Sequence, residues 1–322
     1  MTESIDLSVV IPVYRSAKTL RTLVERLLAV LNETGSRFEI VFVEDGSPDE
    51  SWDVLTDLQK AYPERLVTIQ LMRNFGQHNA LMCGFRHARG QLVVTMDDDL
   101  QHPPEEIPKL VQAIQADKLD LVYGCYDSKK HHSWRNLGSA LINVFYRLVF
   151  KSSIIPTSFR IVRRELLECV FPYSLNFTYV DGLLAWNTQR IGRTAVEHRS
   201  RSEGKSTYSL GKLTVLALNL FTNFSLLPLQ LVTVCGFLSA AGGLLVAFYY
   251  LIQYLLLSDG VPGYASTIIA ILVLGGVQLL ALGIMGEYLG RLHMNINRKP
   301  QYTVRHIVGP VGVFSEKKSG HG

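Results

Sequence analysis

The sequence predicts an α/β domain with a doubly wound, mostly parallel sheet, followed by a two-helix hairpin long enough to cross a membrane. Two patterns carry this prediction. From Leu7 to Tyr123, short β-branched runs alternate with amphipathic helical segments; from Leu213 to Gly286 the only charged residue is Asp259. Composition supports an ordered chain: 48% of the 322 residues are hydrophobic and 19% charged, with a mean hydropathy of +0.16. Disordered and collagen-like chains need polar or Gly/Pro-dominated composition, so both are excluded.

The predicted strands are Leu7 to Val13, Phe38 to Val43, Leu66 to Leu71, Leu92 to Met96 and Leu119 to Tyr123. Their near-continuous apolarity fits parallel strands covered on both faces. Helical segments lie between them, at Ala17 to Leu31, Asp49 to Ala61, Gln77 to Ala88 and Pro104 to Gln115. Alternating βα units place ligands at the carboxyl ends of the strands. Those ends carry Pro12-Val13-Tyr14, Glu44-Asp45-Gly46-Ser47, Arg73-Asn74-Phe75-Gly76 and Asp97-Asp98-Asp99, which points to one crevice.

A bilayer span needs roughly 20 apolar residues. The charge-free run from Leu213 to Ser258 is too long for one span, and Pro228 divides it. Residues 211–228 therefore read as a helix lying at the interface, because Asn219, Thr222, Asn223 and Ser225 interrupt its apolar face. The spans are placed at 229–257 and 264–286. Arg199, Arg201, Lys205 and Lys212 precede the hairpin and Arg291, Arg298, Lys299 and Arg305 follow it, so the positive-inside rule puts both ends in the cytoplasm. Residues 134–150, with Arg135 and Arg147 beside apolar positions, suit either an amphipathic helix on an anionic leaflet or a core helix. The segment 287–322 is expected to be cytoplasmic with a mobile tail, and no signal peptide is recognisable at the N-terminus.

Several function classes are set aside. A formal charge of +4 does not argue for a nucleic-acid partner. The 4 cysteines lack zinc-ligand or redox spacing. Neither G-x-G-x-x-G after the first strand nor a P-loop motif is present, which removes dinucleotide and P-loop phosphate binding. The strand-end cluster Asp97-Asp98-Asp99 remains. Three clustered carboxylates repel one another, and a hard divalent cation, Mg2+ or Mn2+, offsets that repulsion.

The motifs, in order, resemble those of family 2 glycosyltransferases. They are Pro12-Val13-Tyr14, Glu44-Asp45-Gly46-Ser47, Arg73-Asn74-Phe75-Gly76-Gln77-His78 and Asp97-Asp98-Asp99-Leu100-Gln101-His102-Pro103-Pro104, with Gly286-Glu287-Tyr288-Leu289-Gly290-Arg291 after the second span. More narrowly, they resemble the polyprenyl-phosphate glycosyltransferases, which include undecaprenyl-phosphate formamido-arabinose transferases, bactoprenol glucosyltransferases and dolichol-phosphate mannose synthases. The resemblance runs from Leu7 to about Val304. It implies a GT-A domain over residues 1–210 at the cytoplasmic face of a bacterial inner membrane. It also implies inverting, metal-dependent transfer of a sugar from a nucleotide-sugar, UDP-linked, to a polyprenyl phosphate in the bilayer, by a homo-oligomer, a tetramer in the family.

The resemblance also implies roles. Asp45 faces the base, with Pro12, Tyr14, Arg73, Asn74, Gln77 and Asp98 also binding the nucleotide-sugar. Asp97 lies near the ribose and diphosphate, and Asp99 and Gln101 hold the metal. Arg160, in Thr157-Ser158-Phe159-Arg160, matches the arginine expected to bind the acceptor phosphate, with Arg135 and Lys205 assisting. Asp97, Asp99 and Arg160 form the catalytic set. A phosphate monoester is already largely dianionic at neutral pH, so no general base is required. The sequence departs from the family at Ser158, where the motif usually has Asp, and at Arg15-Ser16, which replace Asn-Glu. It departs again at Thr207, which replaces a lysine, and at Asp181, in the sugar pocket where the bactoprenol branch has lysine. The alternatives are transfer from GDP-mannose, a processive synthase, a lipid-linked sugar transporter and a non-catalytic scaffold. A processive synthase needs a Q-x-x-R-W motif that is absent, and two spans make a poor conduit for a transporter.

Overall fold

A computed structural model describes residues 5–125, 154, 156–175, 178–197, 227–257, 263–296 and 300–310. The chain forms two units, one made of Met1–Lys205 with Pro300–Gly322 and the other of Ser206–Lys299.

In the first unit the predicted alternation is present. β1 (Leu7–Val13), β2 (Phe38–Glu44), β3 (Leu66–Leu71), β4 (Leu92–Thr95) and β5 (Leu121–Cys125) are separated by α1 (Leu20–Glu33), α2 (Ser51–Ala61), α3 (Gln77–His87) and α4 (Ile107–Ala116). A short 3-10 turn at Pro104–Glu106 leads into α4. After these come β6 (Arg160–Arg163), α5 (Arg164–Val170), α6 (Val180–Asn187), β7 (Ile191–Ala195) and, beyond the second unit, β8 (Val304–Val308). The sheet order is β7-β5-β6-β4-β1-β2-β3-β8. Pairing is parallel for β1 with β2 and β4, for β2 with β3 and for β5 with β7. It is antiparallel where β6 lies between β4 and β5 and where β8 joins β3.

Hydrophobic spacing accounts for this half of the chain. In α1, Leu20, Leu23, Val24, Leu27 and Leu31 form one stripe, and all five are fully buried against Val9, Ile11 and Phe42. Each such side chain contributes about 1.5–3 kcal/mol relative to exposure. β1 and β2 are buried at every position, as expected of central parallel strands.

Three strands, β6, β7 and β8, were not expected. β6 is a four-residue run bounded by Arg160 and Arg163, and β7 is a half-exposed edge strand, so neither has an alternating or continuous apolar signature. β8 pairs with β3, so the chain returns to the first unit after the second. The Met72 N–H donates to the Thr303 carbonyl at 2.9 Å, Gln301 Nε2 donates to Thr178 Oγ1 at 2.9 Å, and His306 stacks on Trp52.

The second unit contains α7 (Leu227–Leu257) and α8 (Tyr264–Ile296), which touch one another. Pro228 is the second described residue of α7. α8 continues past Gly286 to Ile296. Among the described residues, Val273–Gly290 is long and apolar enough to cross a membrane, and Val232–Val246 is a shorter apolar stretch. Phe237, Leu244 and Leu279 on these helices are more than 70% exposed. The expected interface helix at 134–150, residues 211–226 of the second, the loop at Asp259, and Arg135 and Lys205 lie outside the described residues.

Candidate active site

A crevice of about 290 Å3 opens at the carboxyl ends of the parallel strands. β1 contributes Pro12, Val13 and Tyr14, β2 contributes Asp45, the loop after β3 contributes Asn74, Gly76 and Gln77, and β4 ends in Asp97, Asp98 and Asp99. Seven of the residues expected to bind donor therefore line one surface, Pro12, Tyr14, Asp45, Asn74, Gln77, Asp97 and Asp98, together with Asp99 from the expected metal pair.

Asp45 ties two loops together. Its carboxylate oxygens accept the N–H groups of Phe75 at 2.7 Å and Gly76 at 2.9 Å. The adjoining Gly46 has a left-handed φ of 63°, and a Cβ there would lie 2.4 Å from the Arg73 carbonyl carbon. Only glycine permits both the conformation and the approach. Burial pushes the Asp45 carboxyl up to about 6; the Phe75 and Gly76 N–H groups oppose the rise, and Glu44 adds to it. Arg73 was expected in the crevice. Its exposed guanidinium instead stacks on Phe75, 4.2 Å from the ring centroid, and donates to the Asn74 carbonyl.

The acidic run ends β4 in a sharp reversal. Leu100 adopts a φ of 62°, a strained conformation for a branched residue, and the Gln101 N–H reaches Asp99 Oδ1 at 3.1 Å. Asp98 Oδ2 accepts the Tyr14 N–H at 3.1 Å, and the Asp98 carbonyl accepts Thr19 Oγ1 at 2.8 Å. Asp98 thus positions the β1 loop as well as lining the crevice. Its carboxyl is pushed up to about 6, first by burial and then by Asp97 and Asp99, against hydrogen bonds from Ser16 and Tyr14. Asp97 is held on both oxygens, by Gln77 Nε2 at 2.7 Å and Ser158 Oγ at 2.6 Å.

Two residues given roles by the resemblance, Arg160 and Asp181, are not among those lining the crevice. Arg160 is 1% exposed within β6, where Nη1 bonds the Asp181 carboxylate and Nε donates to Thr95 Oγ1 at 3.1 Å. Asp181 belongs to the same buried cluster. It is buried at the start of α6, and its carboxylate also accepts the Tyr123 hydroxyl at 2.9 Å. The reason is geometric, since β6 inserts between β4 and β5 and carries Arg160 into the sheet. Burial alone disfavours the guanidinium charge, but Asp181 and Tyr123 more than offset this and hold the Arg160 pKa above its ordinary value. Val13 and Gly76, expected at the crevice only as parts of strand-end motifs, line it, and Ser158, singled out only as a departure from the family motif, bonds Asp97.

The donor set suits a hard cation. Carboxylate oxygens concentrate at the end of β4, and the repulsion from Asp97 and Asp99 that adds to the effect of burial on Asp98 is what a divalent ion relieves. Among the described residues no group of three or more His, Cys, Asp or Glu side chains is placed to hold a metal ion.

Comparisons with known proteins agree with this arrangement. Residues 8–171 match the family Glycosyl transferase family 2. The chain is 35% identical over 309 residues to an undecaprenyl-phosphate 4-deoxy-4-formamido-L-arabinose transferase from Edwardsiella ictaluri, covering 94% of each. Glucosyl-3-phosphoglycerate synthase from Mycobacterium tuberculosis, solved with Mn2+, UDP and glucosyl-3-phosphoglycerate, has a TM-score of 0.51 at 16% identity, over 68% of this chain and 80% of that one. The same synthase with Mg2+ and UDP gives 0.52 at 18%, over 68% and 79%. These neighbours establish a GT-A-like mixed α/β fold. With the family match over the crevice-forming half and the end-to-end relative, the chain is a transferase and belongs to glycosyltransferase family 2.

Proposed function

We propose that this protein transfers a sugar from a UDP-linked donor to undecaprenyl or a related polyprenyl phosphate, with inversion, at the cytoplasmic face of a bacterial inner membrane. The observation that carries the reading is the likeness over 94% of the chain to a transferase named for undecaprenyl phosphate. The apolar helices α7 and α8 are read as a membrane hairpin that brings the enzyme to a lipid acceptor, with both termini cytoplasmic.

Asp45 accepts the ring N–H of the base while it holds the loop after β3. Asn74 and Gln77 border the same groove, and Asp97 lies by the ribose and diphosphate. Asp99 and Gln101 would hold Mg2+ or Mn2+, whose chemistry there is neutralising charge on the departing nucleoside diphosphate. The acceptor phosphate attacks without a general base. With Arg160 engaged by Asp181, its cations must come from elsewhere, and Arg135 and Lys205 are the proposed source. A homo-oligomer, a tetramer, completes the reading, and no nucleic-acid partner is proposed.

The test is to incubate the purified protein with undecaprenyl phosphate, Mn2+ or Mg2+ and a panel of UDP- and GDP-sugars, with mass-spectrometric detection of lipid-linked product. Product from a UDP-sugar, lost with chelator and in Asp99→Asn while the thermal midpoint holds, supports the proposal. Transfer only from GDP-mannose would replace the donor, and full activity of Asp99→Asn in chelator would remove the metal assignment.

A further inference from the structure

A hydroxyl at 158, where the family motif usually has a carboxylate, reads from the sequence as a loss. In the structure it occupies a defined place. Ser158 Oγ donates to Asp97 Oδ2 at 2.6 Å, within the short range of charge-assisted O–H···O bonds, while Gln77 Nε2 donates to Oδ1 at 2.7 Å. The two donors come from separate elements, Gln77 at the first residue of α3 and Ser158 just before β6. With one donor on each oxygen, the plane of the Asp97 carboxylate is set from both sides.

Ser158 is itself anchored. Its carbonyl accepts Thr95 Oγ1 at 2.7 Å, and Thr95 in turn accepts Arg160 Nε. Thr157 Oγ1 donates to the Gly124 carbonyl at 2.9 Å. A hydroxyl also supplies a donor to the acidic run without adding a fourth negative charge beside Asp97, Asp98 and Asp99.

We infer that Ser158 is a positioning residue for donor binding: with Gln77 it locks the Asp97 carboxylate in the orientation that meets the nucleotide-sugar. This rests on the UDP-sugar reading above. The probe is UDP with Mn2+, titrated calorimetrically into the detergent-solubilised full chain, alongside thermal unfolding. Ser158→Ala should weaken binding by about tenfold or more, the effect of losing a hydrogen bond to a charged group, with the thermal midpoint unchanged. Ser158→Thr, which keeps the hydroxyl, should restore most of the affinity, and Gln77→Ala, on an exposed side chain, should weaken binding by a similar factor. A space-filling role would instead lower the midpoint. Wild-type affinity in Ser158→Ala would overturn the inference alone. Failure of the wild type to bind Mn2+ with UDP would overturn the donor reading and this inference with it.

Discussion

Replacing Arg160 with alanine distinguishes a support inside the sheet from a phosphate-binding cation. Arg160 and Asp181 are both under 10% exposed, and Tyr123 and Thr95 complete their hydrogen bonds. Removing one partner of a buried ion pair leaves the other charge without compensation and costs about 3–5 kcal/mol. For a unit of this size each kcal/mol moves the midpoint roughly 2–4 °C, so Arg160→Ala should lower it by about 6–20 °C. Asp181→Ala should do the same. Replacing both, as Arg160→Met with Asp181→Leu, should recover most of the loss, because no charge is then stranded. The assay is thermal unfolding of the solubilised full chain by intrinsic fluorescence, with the KM for lipid phosphate measured well below the midpoint. An Arg160→Ala protein that unfolds at the wild-type temperature and shows only a raised acceptor KM would refute the buried-support argument and return Arg160 to the phosphate.

Gly46→Ala should weaken UDP binding measurably by calorimetry and lower the thermal midpoint, since the left-handed backbone alone costs about 1–2 kcal/mol before the clash with Arg73 is counted. Donor affinity should also depend on pH through Asp45. Above about 6 its carboxylate is ionised and accepts the base N–H; below that value a proton must leave before the donor binds, so affinity falls by up to about tenfold per pH unit. Titrations from pH 8 to 5 check this, and Asp45→Asn should remove that part of the dependence which Asp98, also raised to about 6, does not supply.

The contrast between Asp45 and Arg160 shows what the sequence could and could not reveal. Asp45 was legible because a parallel βα alternation fixes where strand ends lie, and the apolar run Phe38 to Val43 fixes this one. The same logic located Asn74, Gln77 and Asp97 to Asp99, each following a strand with an unmistakable apolar run. Arg160 follows no such rule. Its strand is four residues long, antiparallel and inserted between neighbours that the chain visits earlier, so its surroundings are set by tertiary pairing that leaves no local pattern. A motif arginine in sequence can meet either solvent or a buried carboxylate, and the deciding partner, Asp181, is 21 residues away on another element. β8 was hidden for the same reason, since Val-Arg-His-Ile-Val is a strand only because β3 offers it an open edge. Ser158 joins the two cases. It lies between Thr95 and Asp97 by virtue of β6, and a hydroxyl there becomes informative only once the carboxylate it holds is in view.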